Sequence, residues 1–234
     1  MYEHLASMYG GPPNPLHFGL YKTWGQGSWG MLVTGNVQVC KKHLTLGRDI
    51  VVPGKFTEED VRPFRALASV MHGSLRGAAE EMAYPDATQR CRKSLAILQL
   101  NHGGRQSCQV IGGRWPGEAP LAPSPIRVAA NKEGMLSDLF HWLLFQSPKE
   151  MSLEDVDEVV ESFIRGAKLA WKSGFDGVQL HSAHGCTSPP FSLAVKWRRL
   201  SYPFLADLLS GFLSPKVCFH SKCNITLSDP KSTD

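Results

Sequence analysis

Residues 175–185, FDGVQLHSAHG, end in two histidines, His181 and His184, three positions apart. Imidazoles at a strand end can donate to a carbonyl oxygen, move a proton or bind a metal. The metal reading has little support. The pair lacks the i, i+4 spacing of a zinc-binding helix, and no carboxylate sits beside it in sequence, although Cys186 would be the third ligand in such a site. A second group is Gln99, in LQLNHGGRQS (residues 98–107). A carboxamide donates and accepts at once, so Gln99 either finishes a strand or contacts a polar ligand. The glycines behind it lack the GxxxxGK[ST] pattern of a phosphate loop. Asn36, in VTGNVQV (residues 33–39), is a third polar side chain closing an apolar run.

The elements around these residues alternate. NPLHFGLYKTW (residues 14–24) has helical spacing, with Leu16, Leu20 and Trp24 on one side, and GQGSWG ends it. GMLVTGNVQV (30–39) predicts a strand. TEEDVRPFRALASVMH (57–72) predicts a helix with Thr57 as N-cap and Glu58, Glu59 and Asp60 in its first turn, where carboxylates suit the positive helix end. LAILQL (95–100) is a second strand. Residues 111–150 are Pro- and Gly-rich and read as a long excursion. SLEDVDEVVESFIRGAKLAWKS (152–173) predicts a helix capped by Ser152, with Val156, Val159, Val160, Phe163, Ala167 and Ala170 on its apolar face and Gly174 beyond its end. Strand FDGVQLH follows. Apolar strands alternating with helices imply an α/β fold with a parallel sheet, and in barrels of this class chemistry sits at the strand C-termini. Thr34, Asn36, Gln99, His102, Gln179, His181 and His184 all gather at those ends.

Composition narrows the class. The chain has 234 residues, 42% hydrophobic and 20% charged, with a net charge of +4 and no basic run. A nucleic-acid surface is not expected. No apolar stretch reaches the roughly 18 residues of a membrane span. The N-terminus lacks the parts of a signal peptide, and the six scattered cysteines form no CxxC, so reduced thiols and a cytoplasmic location are expected.

Three blocks, LYKTWGQGSWGMLVTGNVQV, LQLNHGGRQS and GFDGVQLHSAHG, resemble in order and spacing the old yellow enzyme family of FMN-dependent oxidoreductases, the NADH:flavin oxidoreductase/NADH oxidase family. The resemblance covers about residues 1–185. It implies a (β/α)8 barrel with FMN at its C-terminal face. In that family NAD(P)H gives hydride to the flavin, which passes it to an alkene conjugated to a carbonyl or nitro group. By resemblance, Gln99 bonds the flavin pyrimidine edge, Asn36 falls near the residue whose backbone approaches the flavin, and His181 and His184 bind the carbonyl of a small α,β-unsaturated substrate. His102 and Arg105 lie in the family's glycine-rich loop.

The departures lie towards the C-terminus. Two residues after the second histidine, where the family has a proton-donating tyrosine, stands Cys186. A thiol titrates in a usable range but reaches less far than a phenol, and no catalytic residue is assigned. The family's later flavin-binding arginine and phosphate-binding turn are not recognisable. The expectation is a partial barrel of three to four βα units over residues 1–185, and a tail over 186–234 that departs from the family through a frame shift or mis-spliced gene model. Two functions follow. One is an FMN-dependent ene-reductase-like enzyme; the other is a non-catalytic fragment that neither holds FMN nor turns over.

Overall fold

The computed structural model describes residues 3–27, 29–73, 94–115, 117–128, 139 and 144–181. Helix α1 (Pro15–Gly25) leads into strand β1 (Met31–Gln38) and a two-residue strand β2 (Ile50–Val51). Helix α2 (Glu58–Met71), strand β3 (Leu95–Asn101) and a short 3-10 turn (Gly104–Gln106) follow. Strands β4 (Leu121–Ala122) and β5 (Lys149–Glu150) make a separate small parallel ladder inside the 111–150 excursion. Helix α3 (Leu153–Lys172) and strand β6 (Gly177–Leu180) complete the described chain. The main sheet has the order β2-β1-β3-β6, and every pairing is parallel. Two β–helix–β units therefore sit side by side, with α1 before the first. This is an arc of the expected barrel.

The helices begin where capping chemistry dictates. Thr57 accepts from the Asp60 amide and Asp60 reaches back to Thr57; Ser152 and Asp155 do the same for α3. Each pair satisfies two amides that have no intrahelical partner. All three helices pack on one face of the sheet. Phe64, Leu67 and Met71 of α2 and Ala167, Leu169 and Ala170 of α3 meet Leu32, Val37, Leu98, Leu100 and Val178 from the strands. At Gly166, α3 lies so close to β3 that an added Cβ would stand 2.8 Å from Leu100 Cδ2. At the N-terminal end of the sheet, Asp176 Oδ2 lies 2.8 Å from His72 Nε2 and accepts from the Ala96 amide at 2.8 Å. One carboxylate thus joins α2, β3 and the start of β6.

Helix α1 departs from its expected face. Leu16 is 58% exposed, and the buried pair is His17 and Tyr21. The reason is polar. Strand β1 changes register against β3 between Val33 and Asn36, forming a bulge at Thr34-Gly35. The Gly35 amide donates instead to Glu3 Oε1 at 2.8 Å and to the Tyr21 hydroxyl at 2.7 Å, and the Tyr21 hydroxyl itself donates to Glu3. His17 Nε2 lies 3.6 Å from Glu3 Oε2, while His17 Nδ1 accepts the Asn14 amide as the N3 half of a capping box. A hydrophobic count along α1 gives no weight to such partners. Phe18 and Trp24 contribute only as half-buried neighbours of the core.

Burial lowers the His17 pKa from its ordinary 6.5 to about 4, and raises that of Glu3. The unfolded chain takes up a proton at His17 near pH 6.5, while the folded chain resists until about 4. The contribution of His17 is therefore full above pH 6.5 and is lost progressively as pH falls to about 4, by up to about 3 kcal/mol at about 1.4 kcal/mol per unit. Glu3 acts in the opposite sense: its contribution is full below the ordinary carboxylate value and is lost as pH rises through the folded value. Denaturant unfolding at pH 7.5, 6 and 5 will show an acid loss of stability in the parent chain. His17→Gln, which keeps an N3 capping group, will flatten the slope. An unchanged slope would contradict the assignment to His17.

Candidate functional site

Parallel pairing sets all strand C-termini at one end, and register decides which side chains share a face. Asn36 is paired with Gln99, and Gln99 with Gln179. One row up, Gln38 is paired with Asn101. These residues occupy the face opposite the helices, because Val37, Leu98, Leu100 and Val178 point into the helical core. His181 lies two residues beyond Gln179 and so falls on the same side; its amide donates to Leu100 O at 2.9 Å. His184 and Cys186, and the proposed division at residue 185, lie outside the described residues.

The lower row is tightly arranged. Gln99 Nε2 donates to Asn36 Oδ1. The Gln99 amide donates to Thr34 Oγ1 at 2.9 Å, and Thr34 in turn donates to Gly35 O at 2.8 Å. The bulge residue therefore fixes the backbone of Gln99. Asn36 is 5% exposed and Gln99 8% exposed. Asn36 Nδ2 is buried with no hydrogen-bond partner among the described residues. Buried polar atoms are nearly always paired, so an unpaired donor on this face calls for an explanation. Sequence reasoning found Asn36 and Gln99 but missed Gln38 and Asn101. The signal available for them was the period of two, which puts residues 36 and 38, and 99 and 101, on one side.

The glycine-rich loop works by close approach. An added Cβ at Gly103 would lie 2.4 Å from His43 O, and Gly104 has φ +54°. The loop thereby reaches a second cluster at the mouth of β1. Cys40, His43 and His102 bring one potential ligand atom each to within 4.8 Å of one another. The two rings are stacked, with centroids 4.3 Å apart and planes at 30°. Hydrogen bonds argue against a metal here. His43 Nε2 accepts the Leu121 amide at 3.0 Å, and His102 Nδ1 accepts the Gly104 amide at 3.2 Å. In a neutral imidazole the second nitrogen then carries the proton. His43 Nδ1, 3.3 Å from Cys40 Sγ, is thus an N–H pointing at sulfur. A metal-binding histidine needs the reverse, an outer acceptor for its spare N–H. Burial holds His43 well below its ordinary pKa and His102 at about 3, with Arg114 adding to the effect, so both rings are neutral at pH 7. Burial raises the Cys40 thiol.

Two arginines fasten the excursion to this end. Arg114 donates to Lys42 O, Ser107 O, Cys108 O and Glu118 O. Arg105, whose place in the glycine-rich loop left its role open, donates to Ser124 Oγ at 3.0 Å and Ile126 O at 3.1 Å. No helix among the described residues is long and apolar enough to cross a membrane. Adding equimolar Zn²⁺ to the EDTA-treated protein is expected to leave its thermal midpoint unchanged. A rise of several degrees abolished by His43→Ala would contradict the proton assignment at Cys40, His43 and His102.

Comparison with known proteins gives the geometry a family. The NADH:flavin oxidoreductase / NADH oxidase family matches residues 86–191. The chain is 33% identical over 167 residues to the NADH-dependent flavin oxidoreductase iliE of Neonectria sp. strain DH2, covering 71% of this chain and 19% of that relative. Among solved structures, the old yellow enzyme homologue of Zymomonas mobilis is similar at TM-score 0.56 with 18% identity, over 80% of this chain and 43% of that one. Morphinone reductase is similar at TM-score 0.61 with 16% identity, over 92% of this chain and 55% of that one. At such identity the structures speak for the fold, a barrel of which this chain forms part. The chain spans about a fifth of the curated relative and about half of each solved structure. These matches, together with the strand–helix arrangement, make the N-terminal part of the chain similar to the NADH:flavin oxidoreductase / NADH oxidase family, whose model matches residues 86–191.

Proposed function

We propose that the chain is part of a flavin-dependent NAD(P)H oxidoreductase of the old yellow enzyme type that reduces α,β-unsaturated carbonyl compounds. The observation that carries this reading is the Asn36–Gln99 carboxamide pair, in register on adjacent parallel strands, with Asn36 Nδ2 buried and unpaired among the described residues. A flavin edge alternates carbonyl oxygens with an N–H, and two carboxamides of this kind complement it. The residues therefore fit FMN. When bound, FMN supplies hydride transfer between the nicotinamide donor and the substrate.

The chain's own groups bind and orient. Gln99, fixed by Thr34 at its amide and by Asn36 at its side chain, reaches its ligand without paying much rotamer entropy. His181, with His184 from the sequence, binds the substrate carbonyl oxygen; N–H donors aimed there favour the charge that develops on it during reduction. No proton donor to the α-carbon is assigned, and Cys186 stands where the family has tyrosine.

The test is to incubate the purified chain with excess FMN, desalt it and record the visible spectrum. The reading predicts a retained flavin band, and a Kd for FMN raised about tenfold or more by Gln99→Leu, the cost of unpaired polar groups at a buried contact. Enone reduction by NADH or NADPH then becomes measurable. A colourless protein would favour the rival reading of a chain that neither holds FMN nor turns over.

A further inference from the structure

The upper row of the inner face has an orphan of its own. Asn101 is fully buried, and its Oδ1 has no hydrogen-bond partner among the described residues. Its other side-chain atom is committed: Asn101 Nδ2 donates to Gln38 Oε1 at 3.2 Å. The Gln38 carboxamide is committed at both ends too, because its Nε2 donates to Thr45 Oγ1 at 2.8 Å and to Asp49 Oδ1 at 3.3 Å. Asp49 sits just before β2, is 4% exposed, and accepts the Thr45 amide at 3.1 Å through its other oxygen.

The order of these bonds has one source. A carboxylate only accepts, so it draws the NH2 of Gln38. Gln38 then turns its oxygen towards Asn101, which must answer with its NH2. The oxygen of Asn101 is what remains. Turning over either amide would set two oxygens face to face, beside Asp49 or beside Asn101. Buried Asp49 thus fixes, two side chains away, which atom Asn101 presents. Packing does not require such an arrangement, since Ile97, on the same face of the same strand, is apolar and 3% exposed.

We propose that Asn101 is a further ligand-binding residue, whose Oδ1 accepts a hydrogen bond from an N–H or hydroxyl of the bound flavin, and that Asp49, acting through Gln38, is the positioning residue for that oxygen. This rests on the flavin reading above and extends it from the Asn36–Gln99 row to the Gln38–Asn101 row. The donor is either the ring N–H or a hydroxyl of the ribityl chain.

The experiment measures Kd by flavin fluorescence for FMN and for lumiflavin, which keeps the ring and lacks the ribityl chain. It uses the parent chain, Asn101→Leu, Asp49→Asn and, as the control for the flavin reading, Gln99→Leu. Asn101→Leu is expected to weaken FMN about tenfold. Weakening of both ligands assigns the ring N–H; weakening of FMN alone assigns a ribityl hydroxyl. Asp49→Asn is expected to weaken FMN several-fold. In the ligand-free protein it is also expected to move or double the side-chain NH2 resonances of Gln38 and Asn101, which a purely stabilising role would not do once the chain is shown to be folded. If Gln99→Leu weakens FMN while both Asn101→Leu and Asp49→Asn bind like the parent, the proposal is overturned and the flavin reading survives. If the parent binds neither flavin, the flavin reading fails and takes the ligand assignment with it. The resonances of Gln38 and Asn101 in Asp49→Asn still decide the positioning claim, and their staying fixed would refute it.

Discussion

The bulge at Thr34-Gly35 is the feature on which the rest of the sheet depends. Below it Val33 pairs with Ile97, and above it Asn36 pairs with Gln99. Without the extra residue Asn36 would stand opposite Leu100, and both Asn36 and Gln38 would point into the helices while Val37 faced inward. A one-residue slip reverses every side chain of a strand. The bulge lets β1 feed valines to the helical core and carboxamides to the opposite face. It releases the Gly35 amide, and Glu3 and Tyr21 take that amide up. An added Cβ at Gly35 would stand 2.7 Å from Glu3 Cδ, so the close approach of the carboxylate needs glycine.

From that register the two polar rows follow. Asn36 and Gln99 bond to each other, as do Gln38 and Asn101. Each pair leaves one buried atom unpaired among the described residues, a donor in the lower row and an acceptor in the upper. Full pairing is the norm for buried polar atoms, and departures from internal consistency concentrate at functional sites. The carbonyls gathered by Arg114 are, by contrast, paired, and they hold the loops in place.

Much of the scaffold was legible in the sequence because it rests on local signals. The caps Thr57 and Ser152 and the apolar runs of β1 and β3 appear as read, while the face of α3 matches at Val156, Ala167 and Ala170 but also buries Leu169 and leaves Val159 and Val160 only partly buried. Strand β2 was not legible: two residues carry no period, and Ile50 and Val51 are held as a strand by Val37 and Gln38 on one side and by a bridge from Gly11 on the other. The buried face of α1 was hidden for a related reason, since His17 and Tyr21 are buried by polar partners from Glu3 and Gly35 rather than by hydrophobic spacing. At the site, Gln99 and Asn36 stood out through family resemblance. Asn101 stood out only once the register was known, because a lone asparagine at a strand end reads as an ordinary terminus.

The central claim is that the inner carboxamide rows, aligned by the bulge, form a ligand-binding face. Its most direct test is titration of isotopically labelled protein with FMN, following the side-chain NH2 resonances of Asn36 and Gln99. The account predicts that both move together and saturate at the same FMN concentration. Saturable FMN binding that leaves both resonances in place would contradict it.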